Sequence, residues 1–304
     1  MIRILSFDGG GIMGLFTTTI LERLAEAHPQ LIQRADMLAG ASTGGIIALG
    51  LADGLSPADI STLYRTKAAK IFDDSIWDNL KDLGNAIGAD YSPKNLAKEL
   101  RTVFGARTLA DLPKRVLVPA FDLMAEASDG RPTVWKPKFF HNYPGPDSDG
   151  AESIVDVALR TSAAPTYFPS HQGYIDGGVV ANNPSMAAVA QALDPRAADG
   201  RLTDIVLLAV GTGMEPKFIK GQTLDWGWGE WARPLVSLMI SGVMGVADFQ
   251  CRLLLGDRYR RVDEYLPEPF NLDEKRSGRL DWLVDRAKEV DLDGIVEWLR
   301  THWS

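Results

Sequence analysis

The 304-residue sequence contains a single cysteine, Cys251, and only four histidines. One thiol cannot form an internal disulfide, so the sequence predicts a reducing, cytoplasmic setting in which Cys251 fills space in the core. The cysteine and histidine supply is too thin for a zinc site, and Asp291 and Asp293 lack the remaining oxygen ligands of a calcium loop. We therefore predict a protein that needs neither a metal ion nor a cofactor.

The sequence also lacks a basic charge balance and an unbroken apolar run. Its formal net charge of -8 argues against binding to a nucleic acid polymer. Gly9 follows the first apolar run too early for a signal peptide, which argues against secretion. The most apolar later stretch, residues 234–246, is interrupted by serine and glycine and falls short of a membrane span. We therefore expect any membrane contact to be peripheral.

Strand-like runs alternate with helical periodicity along most of the chain. The runs that predict strands are residues 2–7, 36–39, 115–121, 133–136, 174–175 and 204–210. This alternation predicts an α/β fold with a mostly parallel central sheet between helices. Residues 72–89 show no clear period, and we interpret them as a loop or cap. No linker is visible, so we expect one domain over residues 1–304, with a catalytic core at about 1–215 and a C-terminal helical extension at about 216–304.

Two glycine-rich motifs follow the first two predicted strands. The first is Asp8-Gly9-Gly10-Gly11, whose glycines allow a sharp turn that aims backbone N–H groups at negative charge. The second is Gly40-Ala41-Ser42-Thr43-Gly44, which has the Gly-x-Ser-x-Gly pattern of a turn that raises a serine hydroxyl above a sheet. We therefore predict acyl transfer with Ser42 as the nucleophile and Gly40 and Gly44 as the glycines of its turn.

The first motif also fits a competing interpretation. Residues 9–14 match the Gly-x-Gly-x-x-Gly pattern of dinucleotide-binding folds, which requires an acidic residue at the end of the second strand. Asp36 stands at the start of that strand instead. The alternative function is a nucleotide-binding regulatory protein that holds phosphate without catalysis. A second alternative is a glycine-rich turn that binds no ligand.

A serine nucleophile needs a base, and histidine is poorly placed to supply it. His28, His141, His171 and His302 lie in loops or near helix and chain ends, where solvated or local roles are typical. Asp176 instead ends a predicted strand before the Gly177-Gly178 turn, which can leave its carboxylate pointing into a site. A carboxylate is a weak base toward a hydroxyl unless burial or fixed hydrogen bonds favour proton transfer.

The motifs at residues 8–11, 40–45 and 176–178 resemble, in this order, those of the patatin-like phospholipases. These are lipid acyl hydrolases that use a Ser-Asp dyad without histidine. The resemblance implies a three-layer α/β/α fold that cleaves fatty-acyl esters of membrane glycerophospholipids. It implies that Ser42 is the nucleophile, Asp176 the base, and the backbone N–H groups of Gly9, Gly10 and Gly11 the oxyanion hole. Met13 departs from the family, in which many members carry Arg or Lys.

Residues 42–72 and 206–213 also resemble bacterial patatins of anti-phage defence that a cyclic dinucleotide switches on. This narrower resemblance implies a cyclic dinucleotide activator and a cytoplasmic enzyme that is peripheral on the inner membrane when active. Trp226, Trp228 and Trp231 precede an apolar stretch and suit a membrane interface. Core packing and a dimer contact are the alternatives for these tryptophans, so a homo-oligomer remains open.

Overall fold

A seven-stranded sheet forms the centre of the fold in the computed structural model, which describes residues 1–71, 91–124 and 134–303. The strands of this sheet are β1 (Ile2–Phe7), β2 (Met37–Gly40), β3 (Arg115–Asp122), β4 (Lys136–His141), β5 (Tyr174–Asp176), β6 (Ile205–Val210) and β7 (Tyr259–Val262). Along the sheet the order is β4-β3-β2-β1-β6-β7, with β5 paired to β3. Each pair of neighbours in the run β3-β2-β1-β6-β7 is parallel, whereas β4 and β5 run antiparallel to β3. The predicted mostly parallel sheet is confirmed.

Two strands differ from the sequence prediction. The strand expected at residues 133–136 begins only at Lys136 and continues to His141. Strand β7 lies in the segment after residue 215, for which we predicted only helices. The loop or cap predicted at residues 72–89 lies outside the described residues.

Helices cover both faces of the sheet. They are α1 (Gly14–Ala27), α2 (Leu31–Arg34), α3 (Thr43–Ala52), α4 (Pro57–Ile71), α5 (Pro93–Phe104), α6 (Ile154–Thr161), α7 (Gly178–Ala181), α8 (Ser185–Leu193), α9 (Trp228–Leu255), α10 (Ser277–Glu289) and α11 (Asp293–His302). Because strand side chains alternate, Ile4 packs with α8 and α9 while Leu5 packs with α1, α3 and α10. Cys251 of α9 is fully buried on the first of these faces, as predicted. The fold is thus a three-layer α/β/α sandwich.

The strand register gathers the ends of four parallel strands at one edge of the sheet. Phe7 at the end of β1 lies opposite both Gly40 of β2 and Val210 of β6, and Val210 lies opposite Val262 of β7. The residues that follow these four strands therefore meet at the same edge, which is where open α/β sheets place their sites.

Strand β5 brings one more residue to this region. Ala120 of β3 pairs with Lys138 of β4 on one side and with Asp176 of β5 on the other. Strand β2 pairs with an earlier part of β3 on that same second side, through Ala39 and Leu117. Because β2 is parallel to β3 and β5 is antiparallel to it, the C-terminal ends of β2 and β5 point at each other.

Candidate active site

Ser42 occupies a strained turn between β2 and α3. Its backbone φ of 52° lies in the left-handed region, which is unusual for a residue other than glycine. A Cβ atom at Gly40 would lie 1.9 Å from the Gly44 carbonyl oxygen, and one at Gly44 would lie 2.2 Å from the Phe7 carbonyl oxygen. Only glycine fits at these two positions, so the predicted turn has the sharp geometry that its motif requires.

Thr161, at the end of α6, holds the serine turn against the sheet. The Ser42 N–H donates to Thr161 Oγ1 at 2.9 Å, and Thr161 Oγ1 donates to the Pro119 carbonyl oxygen of β3 at 2.6 Å. Ser42 and Thr161 are both buried, so water does not compete for these hydrogen bonds. No motif marks Thr161, and sequence reasoning missed it.

The structure brings the predicted serine and aspartate together. Ser42 Oγ donates to Asp176 Oδ2 at 2.6 Å, and the Gly178 N–H donates to Asp176 Oδ1 at 2.6 Å. Burial raises the pKa of Asp176 to about 6, although the hydrogen bonds from Ser42 and Gly178 act in the opposite direction. A carboxylate with a raised pKa is a stronger base than an exposed one and is still ionised at neutral pH. The arrangement can therefore remove the Ser42 proton.

The glycine loop faces the same cavity as Ser42 and Asp176. The Gly9 N–H donates to the Asn182 carbonyl oxygen at 3.0 Å, so it is occupied. Within the described residues, no acceptor is bonded to the N–H groups of Gly10 and Gly11. Of the three glycines predicted to form the oxyanion hole, Gly10 and Gly11 thus have donors free for a substrate.

Residues far along the chain shape the glycine loop. A Cβ atom at Gly10 would lie 2.5 Å from Thr212 Oγ1, and one at Gly11 would lie 2.3 Å from the Leu272 carbonyl oxygen. Gly11 also has a φ of 56°, and the next N–H, that of Ile12, donates to the Leu272 carbonyl at 2.8 Å. The loop needs glycine at both positions because of this close approach and this backbone angle.

A buried ion-pair network lies beneath the loop. Arg261 of β7 contacts Asp8 and Asp263 at 2.5 Å each, and Asp263 accepts from the Gly213 N–H at 3.0 Å. Burial raises the pKa of Asp8, and the Arg261 guanidinium limits that rise. Arg261 is almost completely buried, since only 9% of its side chain is exposed. Its charge is needed inside the protein, where two carboxylates would otherwise be unpaired.

The remaining candidates make no hydrogen bond with Ser42 or Asp176. Met13 is buried against the hydrophobic core and also lines the cavity that contains Ser42. His171 Nε2 contacts Asp156 Oδ1 at 2.8 Å, and no histidine lines the cavity within the described part of the chain. Residues 1–71, 91–124 and 134–303 also contain no cluster of three or more His, Cys, Asp or Glu side chains that could hold a metal ion.

The cavity that contains Ser42 has a volume of about 1110 Å³. Helix α9 forms one wall of it through Val236, Ile240 and Met244, and Met244 Sδ lies 3.0 Å from Asn182 Nδ2. The cavity is large enough for a small organic ligand or part of a larger one.

The other side of α9 is apolar and exposed. Trp228, Phe249 and Leu253 are 85%, 63% and 70% exposed. The prediction that the interrupted stretch 234–246 falls short of a membrane span took in only part of this region. By length and composition alone, Pro234–Arg258 is long and apolar enough to cross a membrane, and 17% of its most apolar window is buried.

Two of the three tryptophans form a surface pair. The Trp226 and Trp231 rings make an edge-on contact at 5.0 Å, and both are only partly buried. With Trp228 exposed as well, the alternative of core packing is wrong for this group.

Comparison with known proteins gives one family. A family model described as "Patatin-like phospholipase" matches residues 5–189. "Putative sporulation hydrolase CotR" of Bacillus subtilis is 30% identical over 329 residues, covering 99% of this chain and 98% of the relative. "cGAMP-activated phospholipase" of Vibrio cholerae is 31% identical over 329 residues, covering 95% and 90%. The crystal structure of VipD from Legionella pneumophila aligns with a TM-score of 0.44 and 15% identity, covering 94% of this chain and 67% of that one.

Proposed function

Because the chain belongs to the patatin-like phospholipase family, we propose that it cleaves fatty-acyl esters of membrane glycerophospholipids with a Ser42-Asp176 dyad. The observation that carries this proposal is the pair of 2.6 Å hydrogen bonds that hold Asp176 between Ser42 Oγ and the Gly178 N–H. They fix the carboxylate where it can accept a proton from the serine. The family itself consists of hydrolases, and the dyad and the lipid class are our proposal.

The first half of the reaction forms an acyl-enzyme. Ser42 Oγ attacks the ester carbonyl carbon while its proton passes to Asp176, and the oxyanion accepts hydrogen bonds from the Gly10 and Gly11 N–H groups. Each good donor of this kind contributes about 3 to 4 kcal/mol in measured systems. The C–O bond to the lysolipid then breaks, and Asp176 returns the proton to the leaving alkoxide oxygen.

The second half releases the fatty acid. Water attacks the acyl carbon of the Ser42 ester and gives a proton to Asp176, and the same donors stabilise the new oxyanion. The bond to Ser42 Oγ breaks, and Asp176 protonates that oxygen. The enzyme returns to its starting state with no metal ion or cofactor in any step.

The nucleotide-binding alternative has less support. Asp36 directly precedes β2, at the end of the strand opposite to the expected position, and accepts a hydrogen bond from the Arg3 N–H at 2.8 Å. A dinucleotide-binding fold needs a carboxylate at the other end of that strand to hold the ribose. The glycine loop here opens instead into the cavity of Ser42 and Asp176.

We further propose that a cyclic dinucleotide activates the enzyme. Three relatives that are 31–32% identical to this chain, from Vibrio cholerae, Escherichia coli and Pseudomonas aeruginosa, bear the name "cGAMP-activated phospholipase". Such control would restrain the enzyme from degrading the membrane of its own cell, and a role in anti-phage defence would follow from it. An activator of this kind must bind the active form more tightly than the resting form.

We also propose that the exposed side of α9 contacts the inner face of the cytoplasmic membrane as a peripheral surface. From Pro234 to Ala247 the helix carries no charged side chain, and its exposed residues include tryptophan and other large apolar groups. The opposite side of the same helix lines the cavity. Contact through α9 would therefore place the bilayer next to the cavity.

Removing either member of the dyad should abolish turnover without unfolding the protein. We expect Ser42→Ala and Asp176→Asn each to lower kcat on p-nitrophenyl butyrate by about 1000-fold or more. The melting temperature checks folding. His141→Gln and His171→Gln are the matched controls and should retain most of the activity. A folded histidine variant without activity would contradict the dyad and indicate a triad.

Removing the apolar side of α9 should weaken vesicle binding and leave the chemistry intact. We expect Trp228→Ser/Phe249→Ser/Leu253→Ser to reduce cosedimentation with phospholipid vesicles by at least about tenfold, because three large apolar groups no longer enter the bilayer. Turnover of the soluble butyrate ester should remain close to that of the wild type. Met124→Ser/Val134→Ser/Trp135→Ser, which changes three equally exposed apolar residues elsewhere, is the control. Equal loss of vesicle binding in both variants would contradict a specific role for α9.

Activation is testable by titration of cyclic dinucleotides into the vesicle assay. We expect the initial rate of fatty-acid release to rise by about tenfold or more with one of them, since a useful activator must shift most of the population to the active form. Linear dinucleotides of the same bases should have no effect, and Ser42→Ala should stay inactive. A high basal rate that no cyclic dinucleotide changes would identify a constitutive enzyme.

A further inference from the structure

The cavity has two chemically different halves on either side of Ser42. One, which we call the apolar half, lies between α4 and α5. Its aliphatic lining consists of Ile60, Leu63, Ile71, Leu96, Leu100 and Val103. The other, which we call the polar half, lies beside the ends of β6 and β7 and combines the apolar wall of α9 with the polar and charged residues Thr212, Glu215, Lys217, Asp248, Arg261 and Asp263.

The apolar half begins next to the nucleophile. Tyr64 of α4 donates its hydroxyl proton to the Thr43 carbonyl oxygen at 3.2 Å, and its hydroxyl also contacts Thr43 Oγ1. Thr43 directly follows Ser42, so this contact anchors α4 beside the serine turn. A fatty-acyl chain attached to the carbonyl that Ser42 attacks buries apolar surface when it lies along this aliphatic lining. The glycerol side of the same ester then faces the polar half.

An ion pair joins the two walls of the apolar half. Lys67 Nζ of α4 lies 3.0 Å from Glu99 Oε2 of α5, with 29% and 15% of the two side chains exposed. Lys67 is three residues beyond Tyr64 and therefore about 4.5 Å further along the helix axis. Among the described residues of α4 and α5 that line the cavity, these two are the only charged ones.

An acyl chain that extends past this ion pair is at a disadvantage. Its methylene groups would displace water from two partly buried charges or separate them, and both processes cost free energy. A shorter chain would lie along the aliphatic residues near Tyr64 without that cost. We propose that the Lys67-Glu99 ion pair determines acyl-chain specificity, by making the ester of a longer acyl chain a poorer substrate than the same ester would be without the ion pair. This inference rests on the proposed acyl hydrolase function.

The test is a chain-length series of p-nitrophenyl esters from butyrate to decanoate, at concentrations where the esters are monomeric. Lys67→Met/Glu99→Met replaces the ion pair with unbranched apolar side chains that suit a helix. We expect it to raise the ratio of kcat/KM for decanoate to kcat/KM for butyrate by about tenfold, as two or so additional methylene groups become buried.

The matched control is a second 3.0 Å ion pair that includes α4. Arg65 of α4 pairs with Asp281 of α10 away from the cavity, with 41% and 61% of the side chains exposed. Arg65→Met/Asp281→Met should leave the decanoate-to-butyrate ratio unchanged. A ratio that moves equally in both variants, or in neither, would overturn the inference.

A further variant tests the same region without a change of charge. Leu63→Trp should narrow the apolar half and lower the decanoate-to-butyrate ratio by about tenfold, since the long chain loses more buried surface. Equal losses on both esters would count against the inference. Butyrate turnover that is absent from the wild type both with and without cyclic dinucleotides would contradict the proposed function itself. An unchanged ratio with intact butyrate turnover would overturn the specificity proposal alone.

Discussion

Strands β2 and β5 meet end to end along one side of β3, and the candidate chemistry depends on that meeting. Parallel pairing of β2 and antiparallel pairing of β5 direct Ser42 and Asp176 toward the same point from opposite directions. The serine turn fits there because Gly40 and Gly44 leave no side chain in the way. Burial at this point also raises the pKa of Asp176, so a carboxylate can serve as the base without a histidine.

The features that local rules govern were predictable from the sequence. The strand before each glycine motif, the helix after Ser42 and the position of Asp176 before a glycine turn all follow from short-range patterns. The structure agrees with the prediction of the serine turn because only glycine fits at Gly40 and Gly44, where any other residue would clash. The short strand and the glycine turn made Asp176 a candidate, and the resemblance to the patatin-like phospholipases implied its role as the base.

Features that depend on distant partners were not predictable. Strand β7 has the sequence Tyr-Arg-Arg-Val, whose charges indicate a surface segment. Arg261 is nevertheless buried, because it pairs with Asp8. Asp8 lies 253 positions earlier in the chain, so no local pattern reveals the pair. Thr161 and Leu272 likewise act through contacts that no sequence spacing reveals. The extent of α9 was underestimated because its serines and glycines weaken the apolar pattern while the helix continues to Leu255.

The central claim is that Asp176 activates Ser42, and the pH dependence of Ser42 labelling tests it most directly. The labelling reagent is a fluorophosphonate. Intact mass spectrometry follows the rate of modification, and peptide mapping locates the modified residue. The assay needs no lipid and no activator. A base that must be ionised gives a rate that falls as the pH drops through the pKa of Asp176, at about 6. The account predicts a single label on Ser42 with this profile and loss of labelling in Asp176→Asn. Labelling of another residue, or a Ser42 rate unchanged by Asp176→Asn, would contradict it.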